Sequence, residues 1–326
     1  VTDRAEPPRY PQRRPRAASV RSRLMLEVAS ELVGTRSWPH QQVRVDMRAP
    51  GAADWATSLF ASDGVDAVEA VLSGASLVAI INPATAVQPA LLRLDGTTGD
   101  ELAAIATVPS YDQLGLAVPR ALGLGTLDDL VAAAPALRLS LRGNRPNHLV
   151  HLVLDDTLRA GGASVADLES WGGTVRYDNG LPHASVRAGL LRGGAVDAVF
   201  DEGVYNWVEL ATDAGLSFLD VPDDAMARLT VLGYRRGWLR RQRYPALAAD
   251  VATVDFSGFL IFTRADAAGG AVGGFCEALV AARDRIAWQG GSTLPLERMC
   301  ADAVDAPLPI PFHPAAEAVW RRHGLL

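Results

Sequence analysis

Lysine is absent from the 326-residue chain, so all 31 of its basic residues are arginine. Without lysine there is no Schiff-base chemistry, no pyridoxal-phosphate anchor and no phosphate-gripping lysine of the Walker type. What remains is the guanidinium group, which suits bidentate recognition of carboxylate or phosphate. Cysteine is scarce: Cys276 and Cys300 have no CxxC spacing and no neighbours that suggest zinc. Cys276 falls in an apolar helical run and reads as a buried structural thiol, while pairing of the two stays open. No run of about 18 apolar residues is present, so no transmembrane helix is expected. Residues 1–19 are polar and rich in proline and arginine, with no apolar stretch before a small-residue cleavage site. As written, this predicts a cytoplasmic protein, or a periplasmic one if a leader has been removed. GxSxG, HExxH, Walker and GxGxxG motifs are also missing, which leaves enzyme readings little direct support.

The composition that is there belongs to a packed protein. Hydrophobic residues make up 49% and exclude wholesale disorder. A net charge of −6 gives no basic excess to drive counterion release, which argues against nucleic acid as a partner. The length suits two domains or one large one.

Strands alternate with helices along the chain. Residues 42–47, 75–81, 103–108, 114–118, 137–141, 174–177, 195–200, 216–219 and 229–232 read as strands. Helices are expected at 19–33, 65–72, 149–158, 182–191, 204–211 and 269–287, and Thr126 reads as a helix cap. Residues 251–263 read as a strand pair or one bent strand. This alternation predicts an α/β protein with mainly parallel sheets.

The stretch ALRLSLRGNRPNHLVHLVLDDTL carries the clearest site signal. An apolar-alternating strand enters the turn Arg142-Gly143-Asn144-Arg145-Pro146-Asn147, and a strongly apolar helix follows from Leu149. The first turn of such a helix presents unpaired N–H groups, and two arginines beside it favour an anion. His148 and His151 form an HxxH pair, but a metal would need a third ligand and an open position, so no metal site is assigned. His183 reads as a surface histidine near a helix start. Asp201-Glu202 could supply acid–base chemistry, accept hydrogen bonds from a ligand, or pair with an arginine of the facing turn. Tyr205, Asn206 and Trp207 offer an aromatic wall, with core packing an equal reading for Trp207. Arg235, Arg236, Arg240, Arg241 and Arg243 read as a solvated basic surface.

Three segments, VEAVLSGASLVAIINPA, LDDLVAAAPALRLSLRGNRPNHLVHLVL and LLRGGAVDAVFDEG, resemble in order and spacing the type II periplasmic-binding-protein fold. More narrowly they resemble the TAXI branch of TRAP-transporter solute receptors, as do VATVDFSGFLIFTRAD and PLPIPFHPAAEAVWRRHG. The likeness covers roughly residues 40–326. It implies two α/β lobes, 1–110 plus 234–326 and 111–233, closing on a small ligand. That ligand would be an anionic compound such as a carboxylate. Membrane permease subunits would be partners, and no cofactor is implied. Ligands of open α/β sheets lie at the carboxyl ends of strands. The ligand-binding candidates are therefore Asn82, Thr85, Tyr111, Arg142, Asn144, Arg145, Asn147, His148, Asp201, Glu202, Tyr205 and Asn206. Two features depart from the branch. The opening strand with its glycine turn is not recognisable, residues 11–18 being rich in arginine and proline, and the mid-chain turn is Arg142-Gly143-Asn144-Arg145-Pro146-Asn147. These departures keep an alternative open: a cytoplasmic enzyme on the same scaffold, such as a decarboxylase of an organic or aromatic acid using Asp201 and His148.

Overall fold

A computed structural model describes residues 20–35, 42–48, 56–62, 64–94, 100–143, 148–286, 288 and 292–326. The chain divides into two compact units, Val1–Pro39 and His40–Leu326. In the first, the described residues form one helix, α1 (Val20–Thr35).

The second unit begins with β1 (Val43–Arg48), β2 (Ala56–Ala61), α2 (Asp66–Leu72), β3 (Val78–Ile81), α3 (Val87–Leu92) and β4 (Leu102–Val108). The chain then leaves this group for β5 (Gly115–Pro119), α4 (Leu127–Ala133), β6 (Arg138–Arg142), α5 (Leu149–Ala160), α6 (Val165–Ser170) and β7 (Thr174–Asp178). It continues through α7 (Ser185–Arg192), β8 (Ala198–Asp201), α8 (Val208–Asp213), β9 (Leu216–Phe218) and α9 (Asp223–Val231). A two-stranded ribbon, β10 (Arg236–Leu239) against β11 (Val251–Val254), brings it back. The last elements are β12 (Phe259–Arg264), α10 (Gly269–Ala282), α11 (Leu296–Met299) and α12 (Pro314–Arg322).

Two mixed five-stranded sheets result, ordered β1-β2-β3-β12-β4 and β7-β6-β8-β5-β9. Each takes its fourth strand from the chain segment that has just crossed over: β12 in the first sheet, β5 in the second. Both of these strands run antiparallel to both neighbours. In the first sheet β2, β3 and β4 point one way; in the second, β6, β7, β8 and β9 do. Two α/β lobes follow from this exchange, and the chain passes between them twice.

Helix α5 shows why the sequence there is so apolar. Val150, Val153, Leu154 and Leu158 pack into the second lobe with Leu139, Leu141 and Phe200. Leu149 and Leu152, one turn apart on another face, pack into the first lobe among Val68, Val71, Ile81 and Phe262. A helix with two apolar faces has something to bury on each side.

Several expectations need correction. Residues 229–232 are not a strand: Leu229–Val231 ends α9, where Ala225, Met226 and Leu229 bury one helical face. Strands β2 and β10 were not expected. Of the two readings of 251–263, two strands and not one bent strand are found, β11 and β12, separated at 255–258, where Gly258 takes φ +73°. The expected helix 204–211 is a 3-10 turn, Val204–Asn206, followed by α8. Cys276 and Cys300 are free, buried and in one apolar cluster, and burial pushes both thiols up to about 12.

Candidate functional site

In both sheets the strand ends run into polar turns, and these turns hold the crossings. The turn after β2 carries a glycine, Gly64, which forms an antiparallel bridge with His148 in the turn after β6. Strand β2 leads into this turn through Ser62. Ser62 is fixed there by its Oγ, which donates to Asp66 at 2.6 Å and accepts the Gly64 N–H at 3.2 Å. After β3, a cis Asn82–Pro83 bond places Asn82 Nδ2 and the Ala84 N–H on the Gly258 carbonyl, each at 2.9 Å. After β8, the Gly203 N–H donates to Asp112 Oδ1 at 2.8 Å. Each lobe thus grips one crossing by a strand-end turn.

Four charged side chains meet at the end of β6. Arg142 is 4% exposed and donates through Nη2 to Asp201 and through Nη1 to Glu202. Burial alone would weaken its charge, but the Asp201 and Glu202 carboxylates outweigh that and raise its pKa further. Arg187 reaches the same place from α7. It donates to the other Asp201 oxygen, to Ser140 Oγ at 3.0 Å and to the Gly180 carbonyl at 2.9 Å. Alternation on β6 puts Ser140 and Arg142 on one face and Leu139 and Leu141 on the other. Asp201 is fully enclosed, held by two guanidiniums and by the Glu202 N–H at 2.8 Å.

Among the described residues, two buried side-chain polar atoms lack a hydrogen-bond partner: Arg142 Nε and Thr85 Oγ1. Arg142 is the last residue of β6, and Thr85 lies in the 3-10 turn Ala84–Ala86 that follows β3 in the other lobe. Buried polar atoms are nearly always paired, so each orphan asks for an explanation.

Asp112 sits beside this cluster in the first crossing. Its Oδ1 accepts from Gly203 and, at 2.7 Å, from its neighbour's N–H on Gln113. Burial raises its pKa well above the usual carboxylate range, and the negative charge of Glu202 raises it further. Gln113 ties the crossings together. It donates to Asp255 Oδ1 at 2.8 Å and accepts from the Trp238 N–H at 3.0 Å. A Cβ on Gly237 would lie 1.7 Å from Gln113 Oε1, so any side chain there would push the Gln113 amide off its partners. Asp255 in turn accepts from Ser257 Oγ at 2.6 Å, and burial raises its pKa too.

The remaining sequence candidates fall in different places. Asn144, Arg145 and Asn147 lie outside the described residues. His148 caps α5, its Nδ1 accepting the Val150 N–H at 3.0 Å, and His151 Nε2 donates to the Arg142 carbonyl at 2.5 Å. Both border a cavity of about 340 Å³ between the lobes, with Glu69, Arg93 and Asp155. Among the described residues no group of three histidine, cysteine or acidic side chains is placed to hold a metal. Tyr111 donates to the Trp238 carbonyl at 3.5 Å and lies 4.8 Å below the Arg243 guanidinium. Tyr205 and Asn206 are exposed, and Asn206 lines a separate cavity of about 510 Å³ with His183 and Glu209. Trp207 packs on Phe218 and donates to the Glu202 carbonyl at 2.8 Å. Sequence reasoning missed Arg187, Gln113, Asp255 and Ser257. Only Arg187 left a trace, a charge among the apolar and small residues that precede Arg192 in α7.

No family model matches the chain, and no curated protein matches it. Several solved structures are similar to part of it, at TM-scores below 0.5. The alkanesulfonate-binding protein SsuA from Xanthomonas axonopodis pv. citri, bound to MOPS, is 19% identical over 68% of this chain and 60% of that one, with a TM-score of 0.32. The periplasmic aliphatic sulphonate-binding protein SsuA from Escherichia coli is 16% identical over 69% of this chain and 58% of that one, with a TM-score of 0.33. A TctC solute-binding protein from Polaromonas is 16% identical over 67% of each, with a TM-score of 0.31. The chain thus spans about three fifths of the length of the sulphonate-binding structures it matches. Among the described residues, no helix is long and apolar enough to cross a membrane.

Proposed function

We propose that this chain is a solute receptor that captures a small organic acid between lobes formed by 1–110 plus 234–326 and by 111–233. In this reading it belongs with TAXI-type receptors and delivers its ligand to membrane permease subunits. One observation carries the proposal: Arg142, buried at a strand end, keeps one N–H without a partner while its other nitrogens are engaged. An acceptor oxygen on a ligand would complete it. The orphan hydroxyl of Thr85, in the turn after β3 of the other lobe, would supply a second contact from across the closure.

The decarboxylase alternative draws less from this geometry. Every Asp201 oxygen is engaged by arginine or backbone N–H, and His148 Nδ1 accepts from the helix it caps. Neither is poised to take a substrate proton.

The test is a thermal-shift screen of amino acids, dicarboxylates and aromatic acids. At least one should stabilise the protein, by about 2.7 kcal/mol at a hundredfold excess over Kd. Thr85→Val, which removes the orphan hydroxyl without exposing anything, should weaken that acid's effect while leaving the unliganded protein at least as stable. An absence of stabilisation by every acid in the screen would overturn the receptor reading.

A further inference from the structure

The carboxyl of Asp112 is used on one side only. Its Oδ1 accepts two backbone N–H groups, from Gln113 at 2.7 Å and from Gly203 at 2.8 Å. Its Oδ2 takes part in no hydrogen bond and no ion pair. The side chain is half-buried, and among the described residues the enclosed polar atoms without a partner are Arg142 Nε and Thr85 Oγ1. Asp112 Oδ2 therefore opens to solvent.

Little freedom is left to turn this oxygen away. The Asp112 N–H donates to Ser257 Oγ at 3.0 Å and its carbonyl accepts the Phe256 N–H at 3.0 Å, so the return crossing grips its backbone. The two bonds to Oδ1 fix the side chain, one from its own segment and one from the turn after β8. A carboxyl held this way has one place for a proton. Two N–H groups already point at Oδ1, so a hydrogen there would face them, and Oδ2 remains. Burial is the main reason that this carboxyl keeps its proton to higher pH than usual, with the Glu202 charge second.

We propose that Asp112 binds the ligand as a neutral acid, its Oδ2 carrying the proton and donating a hydrogen bond to a carboxylate oxygen of the ligand held at Arg142. The inference rests on the receptor reading above and adds to it a contact from the crossing between the lobes. It also adds a coupling, because the site then fills with an anion and a proton together. An O–H group on a carboxylate makes a short, charge-assisted bond. The same carboxyl without its proton offers only acceptors and a like charge, so it repels what the protonated form binds. Where Asp112 is ionised, the proton comes from solvent as the ligand enters.

Several charged and titratable groups of the described residues surround Asp112. Glu202 on the turn after β8 and Arg142 at the end of β6 both act on its charge, with opposite sign. Tyr111 precedes it in the crossing, and its charge reaches Tyr244, which lies beside Arg243. Asp255 stands behind Gln113 in the return crossing, bonded to Ser257. Arg142 gives its two Nη atoms to Asp201 and Glu202 and makes no bond to Asp112. No cation is bonded to Asp112 that would hold it ionised.

The experiment titrates acetate, succinate, L-glutamate and benzoate into the wild type by calorimetry from about pH 5.5 to about pH 9, in buffers of different ionisation enthalpy. The responsive acid should lose affinity as pH rises through the Asp112 pKa, approaching about tenfold per pH unit, and its binding there should take up about one proton. Asp112→Asn makes the neutral form permanent, its carbonyl accepting both N–H groups and its amide N–H donating in place of the Oδ2 proton. It should bind that acid with an affinity independent of pH and with no proton uptake. Asp112→Leu, which has no donor, should bind it more weakly than Asp112→Asn at every pH. A flat wild-type affinity without proton uptake would overturn the inference. So would a pH dependence carried unchanged into Asp112→Asn, or equal binding by Asp112→Leu and Asp112→Asn. Each of these results leaves the receptor reading standing, because the acid still binds. Proton uptake is read on the wild type alone and decides the matter even where neither variant folds. Binding of no acid by the wild type at any pH would instead remove the receptor reading, and this inference with it.

Discussion

A buried carboxyl whose pKa is raised stabilises the fold most when it carries its proton. For Asp112 the unperturbed value is 3.8, and both burial and the Glu202 charge push the folded value upward. The stability it contributes is complete below about pH 4 and is lost as pH climbs through the raised value. Asp255 moves in the same direction for the same first reason. Asp112→Asn keeps an oxygen to accept from Gly203 and Gln113 and cannot ionise. Its stability in urea should therefore gain on the wild type as pH rises above about 4, because only the wild type has to ionise a buried carboxyl. A wild-type profile that rises with pH relative to the variant would contradict this. At this scale the sequence was only partly legible. Arg142, Asp201 and Glu202 could be named because strand-end turns are where α/β proteins place polar side chains. Arg187, Gln113 and Asp255 could not, because their role depends on segments more than 40 residues apart meeting at one point.

Helix and strand signals were legible where local chemistry decides the outcome. Thr126 was readable as a cap, and it forms a capping box in which its side chain accepts from the Asp129 N–H at 3.1 Å and Asp129 answers on the Thr126 N–H at 2.9 Å. Ser164 and Asp167 repeat the device at α6. Thr126→Ala should cost about 1 kcal/mol by urea unfolding, because one orphan helix donor loses its partner. A cost near zero would mean that water replaces the hydroxyl at this exposed turn. Elements that tertiary packing decides were not readable. The run Leu229-Thr230-Val231-Leu232 has strand-like residues, yet Pro222 and two following aspartates start a helix that carries through to Val231. Strand β10, Arg-Gly-Trp-Leu, has neither apolar alternation nor β-branched residues; pairing with β11 and the close approach of Gln113 hold it.

At the scale of the molecule, the two lobes exchange strands and also share a seam along α5. Leu149, Leu152 and Asp156 recur at helical spacing on the face that meets the first lobe. Asp156 receives Arg93 from the end of α3 at 2.5 Å and the Tyr234 hydroxyl at 2.7 Å. Magnitudes decide which part of the seam keeps the lobes together. Arg93 is 43% exposed, so its bridge is open to salt and contributes no more than about 1 kcal/mol. Each buried leucine contributes about 1.5–3 kcal/mol by removal from water, and salt does not screen that. The apolar contact should therefore dominate. Small-angle scattering should find the same radius of gyration for unliganded wild type in about 0.1 M and 1 M salt, where the Debye length falls from about 10 to 3 Å. Arg93→Ala should leave the radius unchanged as well. Leu149→Ala combined with Leu152→Ala should enlarge it, because the seam then loses its main attraction while the two crossings still tether the lobes. Expansion on salt alone would reverse this ranking and make the Arg93–Asp156 pair the main tie between the lobes.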